Sequence, residues 1–472
     1  MLSVRLVGHV TLDVEASGDV VARVEDFSVG LGRLGAAAAE RARRLRTGLP
    51  LASFAAARRP VDKEIHLLVR RLAARGLVEY RLGPARGGGD QIVIEPQMPD
   101  YWPRMPRLRA SDRLVLSRFA YLRRRADEMV LESPRSGALF RISDPTVAGL
   151  LAVLATPQRI GDLTRRPGFP GLAFLALLVD CEILFKATAG DAGFRPAEGD
   201  DSLVLWDFHD LLFHARSSEG RHANPSGGIY PHAGAIAERP AVRPRWPGAA
   251  IDLRACQSAA EPSPLAELFF KRQSTRDFDD RRPIALPELA KFLDVSARIR
   301  SAENTTLDLG GGDLGLTYTV RPYPAAGAGY ELELYLAVDR CEGLPRGFYH
   351  YDAGAHALIP LEVRGAELDA ALDAAALAMG AAGKPQILIT LAARFGRLSW
   401  KYSSIAYALI LKDAGVLLQT FYLTATDIGL GGCAVGSTNI DLFARMTGIA
   451  FHVEGPVGQF ALGRGAAPPG SS

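Results

Sequence analysis

The chain has 472 residues, 48% of them hydrophobic and 23% charged, with a formal net charge of +3. Those proportions belong to a globular protein able to bury a sizeable core, and Gly plus Pro, about one residue in six, is too sparse for a collagen-like or low-complexity chain. No run reaches the roughly 18 uninterrupted apolar residues of a spanning helix, because Asp180 ends the stretch from Gly171 and Lys412 ends the one from Ser404.

Residues Met1 to Val14 alternate apolar and polar side chains and lack the basic and apolar regions of a signal peptide. The four cysteines, Cys181, Cys256, Cys341 and Cys433, show neither C-x-x-C spacing nor the density of a disulfide scaffold. A reducing, cytoplasmic setting without a membrane partner is therefore expected. The net charge is too slight to argue for nucleic acid. Residues 101–150 concentrate ten arginines against five acids, which reads as a solvated face. Only seven of the 55 basic residues are lysines, so a lysine inside a polar constellation stands out.

In chain order, Gly35 to Arg46 is a strong helix former and Leu49 to Ala57 reads as a short helix. Asp62 to Arg75 reads as an amphipathic helix capped by Gly76, and Leu77 to Leu82 alternates as a strand. Three helices followed by a strand is the order of a winged helix. The order recurs about 105 residues later. Asp144 to Leu154, Arg159 to Arg165 and Gly171 to Val179 are its helices, and Cys181 to Lys186 is its strand. A hairpin, Met129 to Ile142, precedes it, turning at Pro134 to Gly137. Residues 1–100 and 101–195 thus read as tandem winged-helix units. Residues 196–263 read as an irregular linker with one helix near Leu205 to Arg216, because clustered Pro and Gly forbid longer ones. Residues 264–472 alternate helices and strands in an α+β manner. Pro287 to Arg298 and Ser403 to Ile428 are expected helices; Leu332 to Val338, Gln386 to Ala392 and Gly458 to Leu462 are expected strands. A disordered tail is expected from Ala466 to Ser472.

Two motifs are decoys on this reading. Gly30, Gly32 and Gly35 match G-x-G-x-x-G, but position 55 is Ala and no acid stands where a dinucleotide site needs one. His209 and His214 sit five apart rather than four, and neither they nor His222 and His232 fall into a metal-ligand pattern, so no metal is expected.

Three stretches carry chemistry. Phe269 to Phe278 (FFKRQSTRDF) offers Arg272, Gln273, Ser274 and Arg276, the planar cations and hydroxyl that suit a phosphate. Gly429, Gly431 and Gly432 end the long apolar helix where a helix cap needs one glycine, and bare backbone there can approach a planar ligand closely. Lys401 and Tyr402 precede that helix. Its N-terminal dipole favours anions, and an ammonium beside a phenol lowers the phenol's pKa toward use as a base. Arg464, after the last strand, adds another guanidinium.

In this order, from about Pro264 to Arg464, these stretches resemble the flavin-dependent nitroreductase superfamily. More narrowly they resemble its thiazole/oxazole-forming (SagB/McbC-type) azoline dehydrogenases, which mature azole-containing ribosomal peptides. RQSTRDF resembles the superfamily's R-x-S-x-R motif, and RPYPAAGAGYELELYLAV stands where the group has an R-x-Y-P-S-A-G-like stretch. SWKYSSIAYALILKDAGVLLQTFYLTATDIGLGGCAVG and EGPVGQFALG complete the set. The resemblance implies an FMN-binding fold in which Arg272, Gln273 and Ser274 hold the phosphate and ribityl chain. Arg276 lies near the pyrimidine end of the ring, Gly431 and Gly432 present backbone near its reactive nitrogen, and Arg464 returns to the phosphate. Lys401 and Tyr402 match the group's Lys-Tyr pair and serve proton transfer. Ala325 departs from the usual Ser, removing one hydroxyl contact to the flavin.

The implied reaction removes two electrons and two protons from a thiazoline or oxazoline: a base takes the Cα proton, FMN accepts a hydride, and oxygen reoxidises the flavin. Expected partners are an azoline-carrying precursor peptide, a cyclodehydratase and a second copy of the chain in a homodimer. The winged helices fit recognition of a peptide's leader segment along a sheet edge. A DNA role is not expected, since GLAFLALLV offers no base-reading side chain. The competing readings are an NAD(P)H-dependent nitroreductase or quinone reductase, separated by whether NAD(P)H reduces the flavin, and a non-enzymatic scaffold, which would purify colourless.

Overall fold

The computed structural model describes all residues except 16, 25–26, 84–91, 188–199, 257–260, 309, 311 and 467–472. Nearly all of the expected disordered tail lies outside the described residues. The chain forms two compact units. One is Met1–Ala223 with Ser399–Ser404 and Asn439–Asp441; the other is Asn224–Leu398 with Ile405–Thr438 and Leu442–Ser472.

In the N-terminal unit, helix Pro60–Ala73 buries Ile65, Leu68, Val69 and Leu72, the i, i+3, i+4, i+7 spacing of a one-faced helix. Gly76 follows it at φ +67, a left-handed turn that costs glycine least. Helices Pro145–Val153 and Leu172–Asp180 lie where expected, the first capped by the Asp144 carboxylate accepting from Thr146 N–H. The hairpin also forms, as strands Glu128–Glu132 and Ala138–Ile142.

Other expectations in this unit shift. Leu49 to Ala57 is not an α-helix. Pro50 lacks an N–H and biases Leu49 toward extended backbone, so a short strand Leu49–Pro50 precedes a 3-10 turn, Leu51–Ser53. The strand expected from Cys181 starts later, at Leu184, because Glu182 takes a left-handed φ of 54 after the helix. The two strands expected to be wings also join different sheets. Val78–Leu82 lies inside a seven-stranded antiparallel sheet that runs on through Ile92–Pro96 to Ala138–Ile142, whereas Leu184–Ala187 pairs with Arg113–Leu116 in a three-stranded sheet. The sheet therefore continues without a break across residue 100. The glycine decoy sits in an antiparallel meander: strand Phe27–Arg33 pairs with Asp19–Val24, not the parallel unit a dinucleotide site requires.

The C-terminal unit is built on a six-stranded antiparallel sheet. Its strand order is Ala357–Leu361, Gly347–Asp352, Leu332–Val338, Ile387–Arg394, Glu454–Gly463, Gly431–Val435. Central strand Ile387–Arg394 is buried on both faces up to Ala393, which explains its unbroken apolar text. Helix Ala406–Asp427 buries Tyr407, Ile410, Ala414, Leu417, Phe421 and Ala425, one helical stripe. It is long and apolar enough to cross a membrane by length and composition. Here Phe421 packs its ring 5.1 Å from Phe292 of helix Leu286–Ser296 and 5.5 Å from Phe460 of the sheet. The helix begins at Ala406 rather than Ser403, because Ser404 takes a left-handed φ of 64.

Candidate active site

Segment Arg272 to Phe278 leaves helix Pro264–Lys271 and runs along the outer edge of strand Gly431–Val435. Thr275 N–H donates to the Gly432 carbonyl at 2.9 Å, and Ser274 bridges Gly432 in parallel. Further on, Phe278 bridges Gly465 and Asp279 N–H donates to the Arg464 carbonyl at 2.9 Å. An exposed strand edge thereby gains its missing partner, and three separate sequence stretches meet.

The glycines earn their place within the protein. A Cβ on Gly431 would lie 2.6 Å from Thr275 Cγ2, and one on Gly432 would collide with the Phe460 ring. The bareness of Gly431 makes room for the Thr275 side chain and that of Gly432 for the Phe460 ring, a packing reason additional to the ligand approach read from sequence.

Tyr422, on the long helix, ties the same pieces together and was not singled out from sequence. Its hydroxyl is 2.9 Å from Ser274 Oγ and accepts the Ala434 N–H at 2.8 Å, while its ring lies 5.2 Å from the Arg272 guanidinium. No local pattern marks it, since only the tertiary fold brings positions 274 and 434 to it. Gln386 was likewise read only as a strand start. Its buried amide accepts from Ile284 N–H at 2.9 Å and Arg464 N–H at 3.0 Å, and donates to the Asp279 carbonyl at 2.9 Å.

Gln273 and Arg276 are exposed and make no polar contact among the described residues. Arg464 is committed: its guanidinium donates to both oxygens of Glu288 at 2.7 Å. The Ala285 N–H and this guanidinium hold the Glu288 carboxyl below its ordinary range. A phosphate at Arg464 would meet that carboxylate, so the open donors of the site are Arg272, Gln273, Ser274 and Arg276. Two guanidiniums, a hydroxyl and an amide within five residues fit a phosphate-bearing cofactor such as FMN.

Lys401 and Tyr402 lie in the turn between helices Phe395–Ser399 and Ala406–Asp427, with Lys401 Nζ 5.5 Å from the Tyr402 ring centroid. The turn, Ser399–Ser404, packs with the N-terminal unit, where Ser404 N–H donates to Asp207 at 3.0 Å. Because the helix starts at Ala406, the pair stands four and five residues ahead of it, beyond the first turn where a helix dipole acts. Of the histidines, His209 groups with Asp207 and Asp210, one ligand atom of each lying within 4.8 Å of the others. His214 is fully buried and stacked 5.8 Å from Trp206.

Residues 270–464 match the nitroreductase family. The C-terminal unit carries a nitroreductase domain. Ahead of it, residues 114–223 match a family described as cyanobactin oxidase ThcOx. The two matches support an oxidoreductase. A Methanocaldococcus jannaschii protein provisionally named nitroreductase MJ1384 is 28% identical over 173 residues, covering 37% of this chain and 78% of the relative. Among solved structures, a Ralstonia eutropha nitroreductase-like protein shows 23% identity over 45% of this chain and 88% of its own, with a TM-score of 0.34. The E. coli microcin synthetase McbBCD complex with truncated pro-MccB17 bound shows 19% identity over 57% of this chain and 97% of its own, with a TM-score of 0.40.

Proposed function

We propose that this protein is an FMN-dependent dehydrogenase that oxidises thiazolines or oxazolines in a ribosomal peptide to thiazoles or oxazoles. The observation that carries the reading is the cyanobactin-oxidase match standing ahead of the nitroreductase match in one chain. Bound FMN supplies the hydride acceptor. Arg272, Gln273 and Ser274 bind its phosphate and ribityl chain, and Tyr422 fixes Ser274 for that purpose. Arg276 brings a permanent positive charge toward the ring. Lys401 and Tyr402 take the acidic Cα proton of the substrate. Oxygen is the final electron acceptor. The N-terminal unit recognises the precursor peptide, and a cyclodehydratase supplies the azoline.

The protein acts as a cytoplasmic homodimer on this reading. Helix Pro264–Lys271 has no buried residue and exposes Leu265, Phe269 and Phe270, an apolar face that a second copy would cover. The deciding experiment is the anaerobic visible spectrum of the purified protein. A flavin band that survives NADPH and bleaches with an azoline peptide supports the dehydrogenase. Bleaching by NADPH instead makes it a nitroreductase, and a colourless protein refutes both.

A further inference from the structure

We infer that Glu331 and Asp413 form a proton-binding site, one proton shared between two buried carboxyl groups, and that this proton holds the Ala325–Gly327 loop in place. Glu331 has no exposed surface and Asp413 is 7% exposed. Neither oxygen of Glu331 receives a hydrogen bond from any other described residue; its own backbone N–H acts on the carboxylate, and Asp413 neighbours it from the long helix. Two ionised carboxylates are acceptors only and cannot bond to each other; one proton turns one of them into a donor. Leaving both ionised would bury two adjacent like charges.

Two buried donors stand nearby, Arg321 Nε and the Tyr323 hydroxyl, and neither makes a hydrogen bond to Glu331. The cation acting on Glu331 is Arg321, whose influence is smaller than that of Asp413, and its guanidinium donates to the Leu332 carbonyl at 3.4 Å and lies 5.5 Å from the Tyr330 ring. Tyr323, buried beside it, stays protonated because burial pushes its hydroxyl up. Burial and the neighbouring Asp413 push Glu331 up to about 7, and burial raises Asp413 as well.

The pair is wired to a strained loop. Asp413 Oδ2 accepts the Ala326 N–H at 2.8 Å. Ala328 and Tyr330, just beyond Gly327, take left-handed φ values of 53 and 46, a conformation that in a residue with a Cβ persists only where surrounding contacts impose it. Above neutrality the pair loses its proton, the two charges repel, and the anchor of Ala326 weakens. The same loop is the stretch that would face the flavin, so the consequence for cofactor binding rests on the proposed function, whereas the shared proton does not.

The test uses the full chain with Glu331→Gln and Asp413→Asn. In each variant an amide donates to the remaining carboxylate and no titrating proton is needed. Infrared spectra and flavin-free thermal midpoints, taken from about pH 5 to pH 9, read the proton; FMN titration reads the loop. Wild type should show a protonated-carboxyl band that fades around pH 7 while its midpoint falls, and both variants should lack the band and keep a level midpoint. FMN affinity of wild type should weaken by up to about 30-fold at pH 8.5, as a pKa near 7 dictates, and stay level in the variants. Should Glu331→Gln fail to fold, Asp413→Asn carries the same comparisons. No band in wild type, or an equal midpoint fall in the variants, overturns the shared proton. A titrating band with pH-independent FMN affinity overturns its hold on the loop. Absence of FMN binding at every pH overturns the proposed function and the link to flavin, while the infrared and thermal results still decide the proton.

Discussion

Replacing Tyr422 by Phe tests whether the three stretches of the site are held together as the structure indicates. The substitution keeps the ring, and with it the packing 5.0 Å from Phe460 and the contact with Arg272. It removes the hydroxyl bonded to Ser274 Oγ at 2.9 Å and leaves the Ala434 N–H without its acceptor. A net hydrogen bond contributes about 1 kcal/mol, and an orphaned donor in a half-buried position costs about 1 kcal/mol more. Only the Ser274 bond acts on the equilibrium that closes segment 272–278 onto its strand, about 1 kcal/mol or roughly 5-fold. The Ala434 bond joins the long helix to the strand, so Ala434 itself is loosened by about 2 kcal/mol, or roughly 30-fold. Hydrogen exchange of the Ala434 amide should accelerate by up to about 30-fold, and FMN affinity, by fluorescence titration, should fall by about 5-fold. Unchanged exchange at Ala434 together with unchanged affinity would refute the reasoning, because the hydroxyl would then be holding nothing.

Gly432→Ala drives a methyl into the fully buried Phe460 ring and to 3.2 Å from the Ala461 carbonyl, and should destabilise the C-terminal unit by about 1–3 kcal/mol in denaturant titration. Gly436→Ala, with nothing within 4 Å of the added methyl, is the control that should be near neutral. Glu288→Gln keeps an acceptor for the Ala285 N–H but frees Arg464 from its ion pair, so FMN should bind several-fold tighter while riboflavin does not change. Equal effects on both ligands would place Arg464 away from the phosphate. Lys401→Ala and Tyr402→Phe should abolish azoline oxidation while the flavin band remains; loss of flavin would make the pair structural. Glu331 also sets a pH trend for the flavin-free protein. Its carboxyl rises from the ordinary 4.5 to about 7, so its contribution to stability is full below about pH 4.5 and is lost as pH rises through 7, about 3 kcal/mol in all. A thermal midpoint flat across that range would contradict it.

The apolar periodicities placed helices Pro60–Ala73, Pro145–Val153 and Leu172–Asp180 and the central strand Ile387–Arg394, because burial of one face leaves a 3.6-residue pattern and burial of both leaves an unbroken run. The motif from Arg272 to Arg276 was legible for a similar reason: its donors are contiguous, so their chemistry is local. Pro50 and Ser404 show where local reading stops. One proline and one left-handed serine moved element boundaries that propensity alone had drawn elsewhere.

What the chain by itself determined, then, is which residues are apolar, cationic or bare, and in what order they come. Tertiary structure alone decided that Tyr422 reaches Ser274 and Ala434, that Arg464 is spent on Glu288, and that Glu331 meets Asp413 in the core. These partners stand 148, 12, 176 and 82 positions apart. Most such separations lie beyond any helical or strand period, so they leave no trace in the local pattern. The carboxyl pair is the clearest case. In sequence Glu331 and Asp413 are two ordinary acids, and only their removal from water beside one another makes a proton part of the structure.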